Sequence, residues 1–486
     1  MNPAGKEMKI THVSHACQIF EGQHGKLLSD PWILNEPVYN YTEWKFPAAV
    51  MPPAEVLKDV DYICITHSHE DHFHIPSLNL IRRDMPFILA EYDHHCSLRA
   101  QTIERVLRAM GFHNIRKLHP WDSYLLKNGI PLISVPSAST RAHDWENSGF
   151  IIDHPGCRII HMNDNISDEA LCADIHSRYP WFDIGFIQTA GVSNFPCCFV
   201  MPEEKKREII SKKITSYAEQ DRLISMLNLK HAVPIAGDFG WLADRYFDYN
   251  FTARGTPLPL EDHVKQNHPE CQLVTMYPSD TWSPSTGRVR NHPEIDWANY
   301  GELAKQVQKK FNTKIDYYDK WIDESSRENL LSRTIERIEF IDRWIQKDDI
   351  HFSCRFRMTV QGPNSNFSFD LQANPQDRFS IKMECSNSSK QVIDQTIYIP
   401  ERIWAAMLAG KLMLNMFHWT ATVEAHVPFR EDIRTFWSWI EFHVDLNNKH
   451  SQAVIEPAYL GQSAPIVRPD WGVLTSPDDW DLPWLK

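Results

Sequence analysis

At 486 residues the chain exceeds what one hydrophobic core usually supports, which predicts one large domain carrying a second, smaller one. Hydrophobic residues make up 42% and charged residues 23%, ordinary for a folded globular protein and far from the composition of a disordered one. The formal net charge of -13 disfavours attraction to nucleic acid or to an anionic membrane surface, leaving a small-molecule substrate as the expectation.

No stretch approaches the roughly 20 uninterrupted apolar residues that cross a bilayer, and MNPAGKEMKI lacks the apolar core of a secretory signal, so a cytoplasmic protein is expected. The 10 cysteines include no CxxC pair of the kind that holds a structural zinc, and most read as small buried hydrophobes. The 24 histidines are unevenly spread: several crowd into positions 67–74 and 94–95, and His beside Asp points to metal.

In chain order, KITHVSHACQIFEGQHGKLLSDPW alternates in short apolar runs broken by EGQHGK, the pattern of a hairpin at a sheet edge. VDYICITHSHEDHFHIPSL sets a β-rich run, Tyr62 to Thr66, directly before the histidine cluster, with a helix-like SLNLIRRDM after it. QTIERVLRAMG has helical spacing, while FILAE, KLHPWDSYLL, LISVPSA, GFIIDH, RIIHMND and DIGFIQTAG read as strands or strand ends. From Glu203 to Leu227 apolar positions recur at helical spacing on a charged background, predicting one long amphipathic helix before the strand HAVPIAGDF. A second unit is expected from residue 291 to 486: helical NLLSRTIERIEFIDRWI, the alternating strands RFRMTVQG, FSFDLQA and RFSIKMECS, then the apolar helix RIWAAMLAGKLML. Without a Gly/Ser linker, this α+β accessory domain is expected to pack against the metal-binding domain of residues 1–290.

The decisive string is Thr66-His67-Ser68-His69-Glu70-Asp71-His72. In an extended loop His67 and His69 point the same way, while Asp71 and His72 can turn toward a second point roughly 3.5–4 Å away, the spacing of a two-metal site. Imidazole and carboxylate donors suit zinc, iron or manganese rather than calcium, and a cluster without cysteine argues for catalysis over a purely structural zinc. The bland alternative is a histidine-rich surface loop. Downstream, Arg158–Ile160 delivers His161-Met162-Asn163-Asp164, placing Asp164 at a strand end where a carboxylate between two metals is needed; its other reading is a helix cap for NDNISDEAL. Asp71 and Asp164 are therefore the carboxylates expected nearest the chemistry. His161 faces the other way along the strand and reads as structural.

HxHxDH followed by a strand-end Asp resembles the metallo-β-lactamase superfamily. His15-Ala16-Cys17 and Ser29-Asp30-Pro31-Trp32 resemble the HAC and DPW pair of its lactonase-like and phospholipase-D-like branches and of the metallo-β-lactamase part of CMP-N-acetylneuraminate hydroxylase. Ala190 to Pro196, the segment after it and the strand around Pro234 are similar to that hydroxylase too. The resemblance implies an α/β fold, an αββα sandwich of two mixed sheets with helices outside, and two divalent metal ions, iron or zinc, with manganese a further candidate. Two departures stand out. Hydrolytic relatives carry a histidine where this chain has Val135-Pro136-Ser137-Ala138-Ser139-Thr140, which leaves His143, and less so Asp144, as replacements; and Gly237-Asp238-Phe239-Gly240 offers Asp238 where relatives place a last histidine. The hydroxylase family also feeds electrons through a Rieske cluster held by paired CxH and CxxH strings, and no such pair occurs here. The expected activity is thus hydrolysis of a small polar metabolite by a metal-bound hydroxide. The alternatives are a non-haem diiron oxygenase fed by an electron-transfer partner or by its substrate, and a degenerate site that binds without turnover.

Overall fold

A computed structural model of the chain describes residues 6–38, 43–91, 103–137 apart from 105 and 109, 147–189 apart from 166, 196–251 apart from 215, 238 and 243, 258–295 and 299–315. Farther on it describes 330–336, 355–362, 366–372, 384–385, 393–408 and 422–426. His143, Asp144 and Asp238 lie outside the described residues.

The strands run β1 (Lys9–Ser14), β2 (Cys17–Gly22), β3 (Gly25–Ser29), β4 (Glu43–Lys45), β5 (Tyr62–Ile65), β6 (Phe87–Ala90), β7 (Ile115–Leu118), β8 (Ser123–Leu125) and β9 (Pro131–Val135). They continue with β10 (Gly149–His154), β11 (Cys157–Asn163), β12 (Ile184–Gln188), β13 (His231–Ile235), β14 (Phe239–Trp241), β15 (Gln272–Leu273), β16 (Thr281–Ser283) and β17 (Gly287–Val289). Two mixed sheets form, ordered β17-β16-β1-β2-β3-β5-β6-β7 and β15-β13-β12-β11-β10-β9-β8, while β14 and β4 pair separately. In each sheet antiparallel hairpins give way to parallel strands, at β3 to β5 and at β11 to β12.

Alternation along the strands builds the layers. In the hairpin of β10 and β11, Phe150, Ile152 and Ile159 face the first sheet and join Ile10, Phe20, Leu27 and Cys64 in the central core. Their neighbours Ile151 and Ile160 point outward and pack under Leu171, Ile175, Leu223, Leu227 and Val264. On the far side, Ile19, Leu28, Ile63 and Phe87 of the first sheet pack against Leu78, Val106 and Leu107. Three apolar layers between two helical faces make the αββα sandwich.

Helices of this unit include α1 (Pro53–Leu57), α2 (Ile75–Leu78), α3 (Glu169–Arg178), α4 (Glu203–Ile214), α5 (Ala218–Leu227), α6 (Asp244–Phe247) and α7 (Leu258–Asn267), and residues 103–104 and 106–108 are helical as well. The single helix expected over Glu203–Leu227 is thus two. Ile210 of α4 packs with Cys197, Trp241, Tyr246 and Tyr249, whereas Leu223, Ile224 and Leu227 of α5 pack on the second sheet. One straight helix cannot serve both cores, and the chain breaks before Tyr217, the N-cap of α5. Of the helix-like SLNLIRRDM only Ser77 and Leu78 are helical, as the end of the single turn α2, which starts at Ile75 with a proline in its first turn.

Beyond the sandwich, α8 (Tyr300–Ile315) reaches back through Gln308, whose Nε2 donates to the carbonyl of Leu242 and to Asp244 Oδ1. A five-stranded sheet follows, ordered β20-β19-β18-β21-β22 from β18 (Arg355–Gln361), β19 (Asn366–Gln372), β20 (Glu384–Cys385), β21 (Gln395–Pro400) and β22 (Thr422–Ala425). α9 (Glu401–Leu408) follows β21, and Trp404 donates to the hydroxyl of Thr334. β22 bridges to Phe199 of the first unit, with Val200 N–H donating to the Val423 carbonyl at 2.8 Å. Among the described residues no helix is long and apolar enough to cross a membrane.

Candidate metal centre

Polar side chains gather where several strands end. β5 carries the chain into Thr66 and the loop 67–72, His15 directly follows β1, Asp30 follows β3, and Asn163 ends β11 with Asp164 after it. His15, Asp30, Asn163 and, past β13, Ala236 all have positive φ, between 36° and 54°. Such backbone is unfavourable for side chains other than glycine and persists where surrounding contacts over-determine it, a pattern that concentrates at functional sites. Here a shift in register between His12 and Ser14 turns His15 inward.

Two groups of donors result. One comprises His67, His69 and Asp164, the other His15, Asp71 and His72; within each group one donor atom per residue lies within 4.8 Å of the others. His67 Nε2 stands 2.8 Å from His69 Nδ1 and 3.8 Å from Asp164 Oδ2. In the second group Asp71 Oδ2 lies 3.0 Å from His15 Nε2 and 3.1 Å from His72 Nε2. Asp164 Oδ2 is also 3.6 Å from His72 Nε2, so one carboxylate oxygen approaches both groups, and Oδ1 of the same carboxylate is buried without a hydrogen-bond partner. The helix-cap alternative for Asp164 falls away: Asp168 caps α3, its side chain accepting from Leu171 N–H.

Asp30 ties these loops together. Fully buried, it accepts Thr66 N–H on Oδ1 and the Thr66 hydroxyl on Oδ2, both at 2.8 Å, and lies 3.1 Å from His72 Nδ1. Asn163 Nδ2 donates to the same Oδ2 and to the Thr66 hydroxyl. Because Thr66 gives its proton to Asp30, His67 Nδ1, 3.0 Å from that hydroxyl, is the donor of the pair, and Nε2 keeps its lone pair for the centre. An outer carboxylate or hydroxyl that fixes tautomer and ring orientation is the usual support of a metal-ligating histidine.

Charge completes the picture. Burial alone raises an acid and lowers an imidazole, yet the mutual attraction of Asp71 and His72, with Asp164 nearby, holds Asp71 well below the usual carboxylate range and His72 well above the usual imidazole range. Burial keeps His15 below its ordinary value in spite of Asp71. A cation between these groups is what their geometry favours, and a divalent ion can take the place of the proton on His72. Cys17 is pushed up to about 12 by burial, so its thiol stays protonated.

Of the residues the sequence singles out, His67, His69, Asp71, His72 and Asp164 come together. His161 stacks between Phe150 and Phe186 at 4.8 and 5.0 Å and is 2.8 Å from Gln18 Oε1, away from the donors. Sequence reasoning quotes His15 and Asp30 in the HAC and DPW strings without assigning them to the centre. The available signal was position: each directly follows a strand, as Asp164 does.

The profile of the beta-lactamase superfamily domain matches residues 9–173, which carry every donor just described. This part of the chain belongs to the metallo-β-lactamase superfamily. Among individual proteins, a Rieske 2Fe-2S iron-sulfur protein of Mycolicibacterium smegmatis is 24% identical over 249 residues, 50% of this chain and 46% of that protein. Cytidine monophosphate-N-acetylneuraminic acid hydroxylase of Xenopus laevis is 24% identical over 312 residues, 59% of this chain and 46% of the hydroxylase. The chain therefore spans about half the length of the curated relatives it matches. A solved metallo hydrolase from Ignicoccus hospitalis aligns with a TM-score of 0.40 at 18% identity, over 57% of this chain and 97% of that one.

Proposed function

We propose that this chain is a metal-dependent enzyme with a two-metal centre, one ion held by His67, His69 and Asp164 and the other by His15, Asp71, His72 and Asp164, and that it hydrolyses a small polar metabolite in the cytoplasm. The reading rests on Asp164, whose Oδ2 lies within 3.8 Å of His67 and 3.6 Å of His72 and thus reaches both groups. The residues fit such ions: nitrogen and carboxylate donors converge, and Asp164 Oδ1 is buried with no partner. Bound there, two divalent ions, zinc, iron or manganese, acidify a water molecule toward neutral pH and polarise a substrate oxygen. Asp71 stays ionised, Asp30 aims His72 through its Nδ1, and the Asp164 carboxylate would reach toward both ions. His143 and Asp238 are proposed as additional donors. Cys64, Cys157, Cys172 and Cys271 are buried thiols, in keeping with a reducing compartment.

One observation favours a second reading, oxygenation of a small metabolite with electrons from a partner protein or from the substrate. Each group offers two imidazoles and a carboxylate, the donor pattern of non-haem iron oxygenases, and a hydroxylase stands among the relatives. Metal analysis of protein from iron- and zinc-supplemented cells, with optical spectra as reduced protein meets oxygen, separates the two. About two zinc ions and no oxygen response support hydrolysis, and two irons with an oxygen-dependent band support oxygenation. Protein that retains no metal refutes the centre.

A further inference from the structure

A second convergence of imidazoles on a carboxylate lies elsewhere, between α5 and α7 on the outer face of the second sheet. Asp221 stands in the first turn of α5, His263 lies within α7, and His268 follows its end. His263 Nε2 and His268 Nε2 are each 2.7 Å from the same oxygen, Asp221 Oδ1, and one donor atom from each of the three lies within 4.8 Å of the others. The simplest account is a carboxylate accepting two N–H bonds. The outer nitrogen of His268 argues for more: Nδ1 is 3.7 Å from Glu270 Oε1, so carboxylates flank this ring at both nitrogens. A ring flanked in this way is satisfied either by a proton on each nitrogen or by a metal cation standing between ring and carboxylate, and the convergence of three donors on one point is what the second arrangement uses.

The rings are held in place before any ion arrives. The backbone N–H of His268 donates to the Val264 carbonyl at 2.8 Å, and Tyr217 packs 4.4 Å from the His263 ring. Asn267 Nδ2 donates to the His263 carbonyl at 2.9 Å and lies 3.3 Å from His263 Nδ1, which ties the side chain to the same turn of α7. Asp221 and His263 remain partly exposed, which gives an ion a path in. With bonds of about 2.0–2.1 Å, donors around a tetrahedral zinc stand about 3.3 Å apart, so the cluster has to open by about half an ångström.

We propose that Asp221, His263 and His268 form a third metal site, taking a divalent transition ion of the zinc class with water completing its shell. The ion staples α5 to α7. The staple bears on the catalytic half of the fold through the preceding residue, Gln220, whose side-chain amide donates to the carbonyls of Gln188 and Thr189 at the end of β12, beside β11.

Zinc titration of the chelator-stripped full chain against a chromophoric chelator tests the site in wild type, Asp221→Asn, His263→Gln and His69→Ala. Wild type is expected to take up one zinc per chain more than Asp221→Asn and His263→Gln, and zinc is expected to raise its thermal midpoint more than theirs. His69→Ala, which alters the two-metal centre instead, keeps the ion that those variants lose. Far-UV circular dichroism checks folding; if Asp221→Asn does not fold, His263→Gln at its partly exposed position decides alone. Equal zinc uptake by wild type and the folded variants overturns the proposal, as does an additional zinc that His69→Ala removes and Asp221→Asn retains.

Discussion

The two sheet systems of this protein bury acidic side chains in opposite ways. In the C-terminal sheet Asp370 is 1% exposed and closed off by guanidinium groups: Arg357 binds both its oxygens, at 2.7 and 3.0 Å, and Arg355 adds a bond at 3.0 Å. At the strand ends of the sandwich Asp71 and Asp164 face imidazoles instead, and Asp164 Oδ1 is left without a partner. An acid saturated by arginines has no capacity left for a ligand, whereas one gathered with imidazole lone pairs is incomplete until a cation joins it. The first arrangement fixes a fold and the second prepares a site.

The largest expected effect tests the closed arrangement. Asp370→Ala removes the acid that two guanidinium groups share, the buried Arg355 among them, and should cost about 3–5 kcal/mol of stability by chemical denaturation. Zinc or iron content of the folded variant should stay at the wild-type level. Loss of metal from folded Asp370→Ala would break the contrast between the regions.

Removing Asp164 is expected to act the other way. Asp164→Ala should reduce metal content and lower activity by more than the roughly 100-fold typical of residues that only support a ligand, about 2.7 kcal/mol, with less effect on the unfolding free energy than Asp370→Ala. A variant that retains two ions with wild-type affinity removes Asp164 from the centre.

Asp30→Asn sharpens the distinction between holding a metal and aiming the residues that hold it. Asn cannot reproduce a carboxylate that accepts from Thr66, Asn163 and His72 at once, and a loss of about 10–100-fold in metal affinity is expected, read by chelator competition. His67, His69, Asp71 and His72 were legible in the sequence because one loop carries them all, and Asp164 because it ends an apolar strand. Asp30 and His15 were visible only as strings. What joins them to the loop is the strand order β1-β2-β3-β5 together with unfavourable backbone at both positions, and no local spacing encodes either. The sandwich itself was legible in GFIIDH and RIIHMN, whose alternate residues serve two cores, whereas the break between α4 and α5 was not, since an amphipathic pattern runs on through it.

Buried histidines away from the centre set the response to acid. Burial lowers His12 and His161 to about 3 and His24 to about 4, against 6.5 in the unfolded chain. The folded state therefore binds fewer protons than the unfolded one between pH 6.5 and those values. Stability should be fully present above pH 6.5 and fall below it, by up to about 1.4 kcal/mol per pH unit for each histidine. Unfolding at stepped pH in the presence of chelator measures the slope; a flat profile from pH 6.5 to 5 contradicts these assignments.

The smallest effect separates the two aspartates that follow β11. Asp168 accepts Leu171 N–H at 2.8 Å at the start of α3, while Asp164, four residues earlier, turns toward the imidazoles. Replacing a capping aspartate by alanine removes the acceptor for one N–H of the first turn and its favourable charge at the helix N-terminus, typically about 1 kcal/mol. Asp168→Ala should lower the thermal midpoint slightly and leave metal content and activity unchanged. Because α3 packs Leu171 and Ile175 directly on the sheet that ends in Asp164, a loss of metal on Asp168→Ala would mean that the cap also positions the carboxylate, and that helix and centre are one mechanical unit.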